Sequence, residues 1–127
     1  MKTVATDKAP AAIGPYSQAM RVGETIYCSG QIPIVAKSGA VIAGGIVPQT
    51  EQVLSNLAAV LEAAGSSLQG IARTTVYLAD MGDFAAMNSE YDRIMAGHKP
   101  ARATVEVARL PRDVLVEIDC IAVGEAN

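Results

Sequence analysis

Arg102, Thr104, Glu117 and Asp119 are the residues of this chain whose types and spacing could do chemistry. A planar guanidinium binds a carboxylate through two parallel hydrogen bonds, a fork that lysine does not reproduce. A carboxylate can hold a water molecule and accept its proton without any metal. All four lie in the stretch 100–123, which reads as two strands and a turn. Ala103, Val105 and Val107 alternate with Thr104 and Glu106, and Val114, Val116 and Ile118 alternate with Glu117 and Asp119, the period of half-buried strands. Leu110-Pro111-Arg112-Asp113 supplies the break between them. Folding the stretch as a hairpin puts Arg102, Thr104 and Glu106 on one face with Leu115, Glu117 and Asp119. Pairing Glu106 with Glu117 would oppose like charges, so the expected register sets Arg102 against Asp119 and Thr104 against Glu117. Such a patch is either a solvated surface or the lining of a site.

The elements that must carry this patch can be read along the chain. A lead-in rich in Pro and Gly, Ala9 to Ser17, reads as ordered but irregular, and Gly14-Pro15 stiffens the approach to Tyr16, an edge anchor or a placed hydrogen-bonding group. Gln18 to Arg21 and Thr25 to Ser29 flank Gly23-Glu24 as a hairpin, with Tyr27 and Ser29 on one face and Ile26 and Cys28 on the other. Its second strand ends in Ser29-Gly30, where a missing side chain allows close approach by another group. Lys37 to Ala40 is a turn, and Gly44, Gly45 and Pro48 mark a loop. Val53, Leu57, Val60, Leu61 and Ala64 then recur at helical spacing over Thr50 to Ala64, with Gly65 placed for a left-handed cap. Ile71 to Ala79 alternates as a strand. Asp83 is placed to cap a second helix whose apolar stripe is Phe84, Met87, Tyr91, Ile94 and Met95, with Asn88 beside it and Gly97 at its end. His98, the single histidine, follows that helix and reads first as a partner of its dipole or of solvent.

The order of strands and helices predicts one α+β domain over residues 1–127, two helices covering one face of a mostly antiparallel sheet and the other face needing a cover of its own. Self-association would supply it. Half of the 127 residues are hydrophobic, yet there is no Trp and one Phe, so the core must be built from aliphatic side chains and Met. A net charge of −3 and a pI near 5.0 give nucleic acid and anionic membranes no electrostatic hold. The opening residues lack the apolar run of a signal peptide, and no membrane-length apolar run occurs, so a soluble, cytoplasmic protein is expected. Cys28 and Cys120, far apart and without ligand spacing, read as buried structural thiols, and no metal site is expected.

Taken together, Ala9-Pro10-Ala11-Ala12-Ile13-Gly14-Pro15-Tyr16-Ser17-Gln18, Ser29-Gly30-Gln31-Ile32-Pro33, Pro100-Ala101-Arg102 and Val105 to Pro111 followed by Glu117-Ile118 resemble the RidA (YjgF) family of reactive intermediate deaminases. The likeness runs nearly the whole chain. It implies a chorismate-mutase-like fold and a homotrimer with a central barrel and three pockets between subunits. The implied activity is cofactor-independent hydrolysis of 2-imino acids, such as 2-iminobutanoate and 2-iminopropanoate, to 2-oxo acids and ammonia. By the same resemblance Arg102 clamps the substrate carboxylate, Glu117 activates the water, Gly30 offers its backbone, and Tyr16, Ser29 and Asn88 are supporting polar groups. Thr104 stands where some members have Cys, and Lys99 where an aromatic residue often precedes Pro-Ala-Arg. A non-catalytic binding or regulatory trimer using the same Arg102 clamp is the alternative, since a fold does not dictate function. A ribonuclease or translation inhibitor fits the acidic balance poorly.

Overall fold

The computed structural model describes residues 1–125. Six strands form one sheet: β1 (Lys2–Val4), β2 (Ala19–Val22), β3 (Thr25–Gln31), β4 (Ile71–Leu78), β5 (Ala101–Glu106) and β6 (Val116–Val123). Their spatial order is β1-β2-β3-β6-β4-β5, antiparallel throughout except for the parallel pair β4 and β5. Helices α1 (Ile46–Ala63) and α2 (Phe84–Met95) pack on one face, as the alternating patterns predict.

The expected hairpin of the last two strands does not form, because β4 lies between them. Thr74 is the register partner of Arg102, and Tyr77 is the partner of Glu117. The physical reason is the segment β4-α2-β5. A strand, a helix and a strand in succession pair in parallel, since the crossover returns the chain to the same end of the sheet. The connection from β5 to β6 then passes around the end of β4, where Val107 N–H donates to Leu78 O at 2.9 Å and Ala79 N–H to Leu115 O at 3.1 Å.

One correction of faces follows from this pairing. Residues opposite one another in a sheet share a face, so Arg102, Thr104 and Glu106 lie with Thr74, Val76 and Leu78 on the helix side. Glu117 and Asp119 lie with Tyr77 and Thr75 on the open side. Arg102 and Glu117 are therefore on opposite faces of one chain, not on a shared patch.

The β2–β3 hairpin, with Ile26 and Cys28 inward and Tyr27 exposed, is as predicted. Helix α1 starts four residues earlier than expected and takes in Pro48, which costs little in a first turn whose N–H groups have no intrahelical partner. Gly65, at φ 87°, supplies the left-handed conformation after the helix that a side chain would resist. Asp83 precedes α2, but its side chain makes no capping bond. Asp80 caps the preceding turn instead, accepting from Gly82 N–H at 2.8 Å.

The core is aliphatic and lies between helices and sheet, with Val53, Leu54, Leu57, Val60, Leu61, Val76, Leu78, Val116 and Ile118 fully buried. Cys28 and Cys120 face each other directly across β3 and β6 within it, both as thiols. The neighbouring Cys28 and burial push the Cys120 thiol well up, which keeps it from acting as a thiolate. Arg21 is buried as well. Its guanidinium donates to Gly23 O at 3.0 Å, to Ala64 O at 2.5 Å at the end of α1, and to Glu125 O. No helix among the described residues is long and apolar enough to cross a membrane.

Candidate functional site

The expected site residues fall into two groups. The first is built on the helix side around Arg102. Strand β5 lies at the edge of the sheet beside α2, so the Arg102 side chain lies over that helix's aromatic residues. Its guanidinium carbon is 4.9 Å from the centre of the Tyr91 ring and 5.7 Å from that of Phe84, within the range of cation–π attraction. The Tyr91 hydroxyl is in turn tied to the buried Thr74 Oγ1 at 2.9 Å, which fixes the ring. Asn88 comes from the same helix face, four residues after Phe84 and three before Tyr91. Arg102, Asn88, Tyr91, His98 and Lys99 line a cleft of about 410 Å³. His98 Nε2 lies 2.7 Å from Ile71 O, so one ring nitrogen is occupied by the backbone. Thr104 is two residues along the strand from Arg102, and its Oγ1 is buried without a hydrogen-bond partner.

The second group sits at the irregular end of β3, where the pairing with β6 shifts between Cys28 and Gln31. There Gly30 meets Glu117. A β-carbon on Gly30 would fall 2.2 Å from Glu117 Oε2, so the carboxylate occupies the space a side chain would need. Ser29 Oγ donates to Ser17 O at 2.6 Å and Ser29 N–H to Gln18 O at 3.0 Å, which binds the lead-in segment to this end of the sheet. Tyr16 is thereby held nearby but exposed, its hydroxyl accepting from Ile13 N–H at 3.4 Å. The Glu117 carboxyl is half-buried. Desolvation, and then the negative charge of Asp119, hold it above its ordinary value. Tyr77 donates to Asp119 Oδ2 at 2.9 Å.

An arginine held over two aromatic rings and a half-buried carboxylate are thus both present, on opposite sides of the sheet. Phe84 and Tyr91 are legible in the sequence as a helix stripe but not as the support of Arg102. The usable signal is Phe84, Asn88 and Tyr91 at helical spacing, two aromatic rings flanking a polar group on one face.

The sequence profile of the family described as Endoribonuclease L-PSP matches residues 6–124. The chain belongs to that family, also known as RidA (YjgF). Among its relatives, the 2-iminobutanoate/2-iminopropanoate deaminase of Mus musculus is 50% identical over 122 residues, covering 96% of this chain and 90% of that protein. The crystal structure of a putative endoribonuclease from Thermotoga maritima superposes with a TM-score of 0.96 at 49% identity, covering 99% of both chains. Escherichia coli TdcF with bound serine superposes at 0.94 with 40% identity, covering 98% of this chain and all 100% of that one. Members of the RidA family therefore share this chain's fold along essentially its whole length.

Proposed function

We propose that the protein is a cofactor-independent hydrolase of 2-imino acids such as 2-iminobutanoate and 2-iminopropanoate, working as a cytoplasmic homotrimer whose pockets combine the Arg102 group of one subunit with the Glu117 group of the next. The observation that carries the reading is the pair of groups itself. A guanidinium backed by aromatic rings is suited to a carboxylate, and a half-buried carboxylate held above its ordinary value is suited to take a proton from water. Their separation on opposite faces favours a site completed by a second copy, and the open face carries the apolar side chains such a contact would cover, among them Tyr27, Val105, Ile121 and Val123. The deaminase name of the mouse relative points to the same chemistry.

In this mechanism Arg102 holds the substrate carboxylate in a two-bonded fork, with the Gly30 backbone, Asn88, Ser29 and Tyr16 shaping the pocket. Water adds to the carbon of the protonated imine while Glu117 accepts one of the water's protons, giving a neutral carbinolamine. Glu117 then returns the proton to nitrogen, the carbon–nitrogen bond breaks with its electron pair on the leaving ammonia, and the hydroxyl proton passes back to Glu117 as the carbonyl of the 2-oxo acid forms. No redox step occurs and no metal is needed to balance it.

Serine bound to TdcF favours a second reading, a trimer that binds amino-acid-like ligands through Arg102 without turnover. A threonine dehydratase reaction, which releases the imine, separates the two when the protein is added and 2-oxobutanoate formation is followed. Glu117→Gln should lower the acceleration by roughly a hundredfold or more while 2-oxobutanoate still binds by calorimetry. Arg102→Lys should lose both. Wild-type turnover by Glu117→Gln would remove Glu117 from the mechanism, and no acceleration by the wild-type protein would leave the binding reading.

A further inference from the structure

Tyr77 has a choice of two carboxylates and takes the one that is not proposed to react. On the open face it is the register partner of Glu117, and the next pair along is Thr75 with Asp119. Glu117 and Asp119 follow one another on the same side of β6, about 7 Å apart along the strand. The phenol nevertheless donates to Asp119 Oδ2 at 2.9 Å, and among the described residues no donor reaches Glu117. Within one chain the other groups facing this patch are few, and in the proposed trimer the Arg102 group of the next subunit joins them. Arg73 of β4 lies opposite Ile121 and forms no ion pair with either carboxylate among the described residues. From β3 come Ser29 and Tyr27, and from β5 Ala103 and Val105, none of them a carboxylate or a basic side chain.

We propose that Tyr77 and Asp119 are a positioning pair for Glu117: by donating to Asp119, the phenol fixes a negative charge beside Glu117 and withholds from it the hydrogen bond that would weaken it as a base. The inference rests on the base role proposed above for Glu117. A hydrogen bond to a carboxylate favours its charged form, while a like charge nearby disfavours it. An arrangement in which Tyr77 turned to Glu117 would therefore give Glu117 the donor it now lacks and favour its charged form. The directions of the two titrations agree. The hydrogen bond to Asp119 and then burial raise the Tyr77 phenol, so it remains a donor, and Glu117 is raised by burial and then by Asp119.

Direct titration of the Glu117 carboxyl by carbon-13 NMR tests this in the folded protein, independently of turnover. Asp119→Asn removes the fixed charge and should lower the Glu117 midpoint by roughly half a unit to one unit, the effect of one like charge at about 7 Å in a largely aqueous dielectric. The acid limb of the pH–rate profile for imine hydrolysis should move down by the same amount, because the reaction needs Glu117 deprotonated and its rate falls as pH falls through that midpoint. Asp119→Glu should restore both. Tyr77→Phe frees the Asp119 side chain to turn away from Glu117 and should lower the Glu117 midpoint by less than Asp119→Asn does. An unmoved Glu117 midpoint in Asp119→Asn, or a Glu117 midpoint that rises in Tyr77→Phe, overturns the pairing. If the titrations shift as expected but no variant or parent hydrolyses imine, the electrostatic pair stands and the hydrolase reading falls.

Discussion

The two faces of this sheet are made from the same strands by alternate residues, yet they differ in what completes them. On the helix side Val76, Leu78, Val116 and Ile118 are fully buried by α1 and α2. On the open side Tyr27 is 50% exposed, Val105 41% and Ile121 37%. The proposed site inherits this difference. Arg102 is held within its own chain by Phe84 and Tyr91, whereas Glu117 faces outward with only Gly30 and its strand neighbours around it. The proposed clamp can thus be finished by folding alone, while the proposed base lies on the face that folding leaves uncovered.

Three sets of substitutions would break or sharpen this comparison. The largest effect is expected in the core: Ile118→Ala should cost about 2–5 kcal/mol in denaturant unfolding, as for other buried aliphatic truncations. Ile121→Asp, three residues along the same strand but on the open face, should leave a folded chain while light scattering reports dissociation. Equal loss of stability from both would erase the distinction between the faces. Next, Gly30→Ala should strike Glu117 alone, since its β-carbon must displace the carboxylate. Turnover should fall by up to about a hundredfold, the scale of an ångström's misplacement at a reacting group, with unfolding little changed and 2-oxobutanoate still bound. The smallest effect belongs to the clamp. Tyr91→Leu removes a ring worth about 0.5–2 kcal/mol to a cation and should raise KM several-fold, with kcat less affected, whereas Tyr91→Phe keeps the ring and should raise KM less, while losing about 1–3 kcal/mol of stability because the buried Thr74 hydroxyl loses its partner. A drop in kcat without change in KM would show that Tyr91 does not act through Arg102.

Periodicity in the sequence makes most of this fold legible. The α1 stripe from Val53 to Ala64, the Tyr27/Cys28 division of β3 and the Glu117/Ile118 division of β6 all follow from spacing, because local burial writes itself into sequence at periods of 3.6 and 2. Pairing is less legible. The Leu110–Asp113 turn suggests that β5 and β6 are neighbours, but a turn specifies a reversal and not who fills the space between the strands. Asp83 misleads for a similar reason, as Asp80 offers the same chemistry three residues earlier. Of the residues named for the site, Asn88 and Arg102 line one cleft and Gly30 meets Glu117 at the end of β3, but Arg102 and Glu117, expected on one face, do not share it. That expectation fails with the hairpin that carries it.

The buried guanidinium of Arg21 has a consequence for the order in which the chain can mature. Its acceptors lie close by at Gly23 O, 43 residues further on at Ala64 O, and 104 residues further on at Glu125 O. During vectorial synthesis the β2–β3 hairpin can close early, but the cation it carries inward remains incompletely satisfied until strand β6 has emerged and passed alongside β3. Two of the three carbonyls that hold this cation thus come from segments distant in sequence, so the charge can leave water with all its partners only once the end of α1 and the residues after β6 are in place.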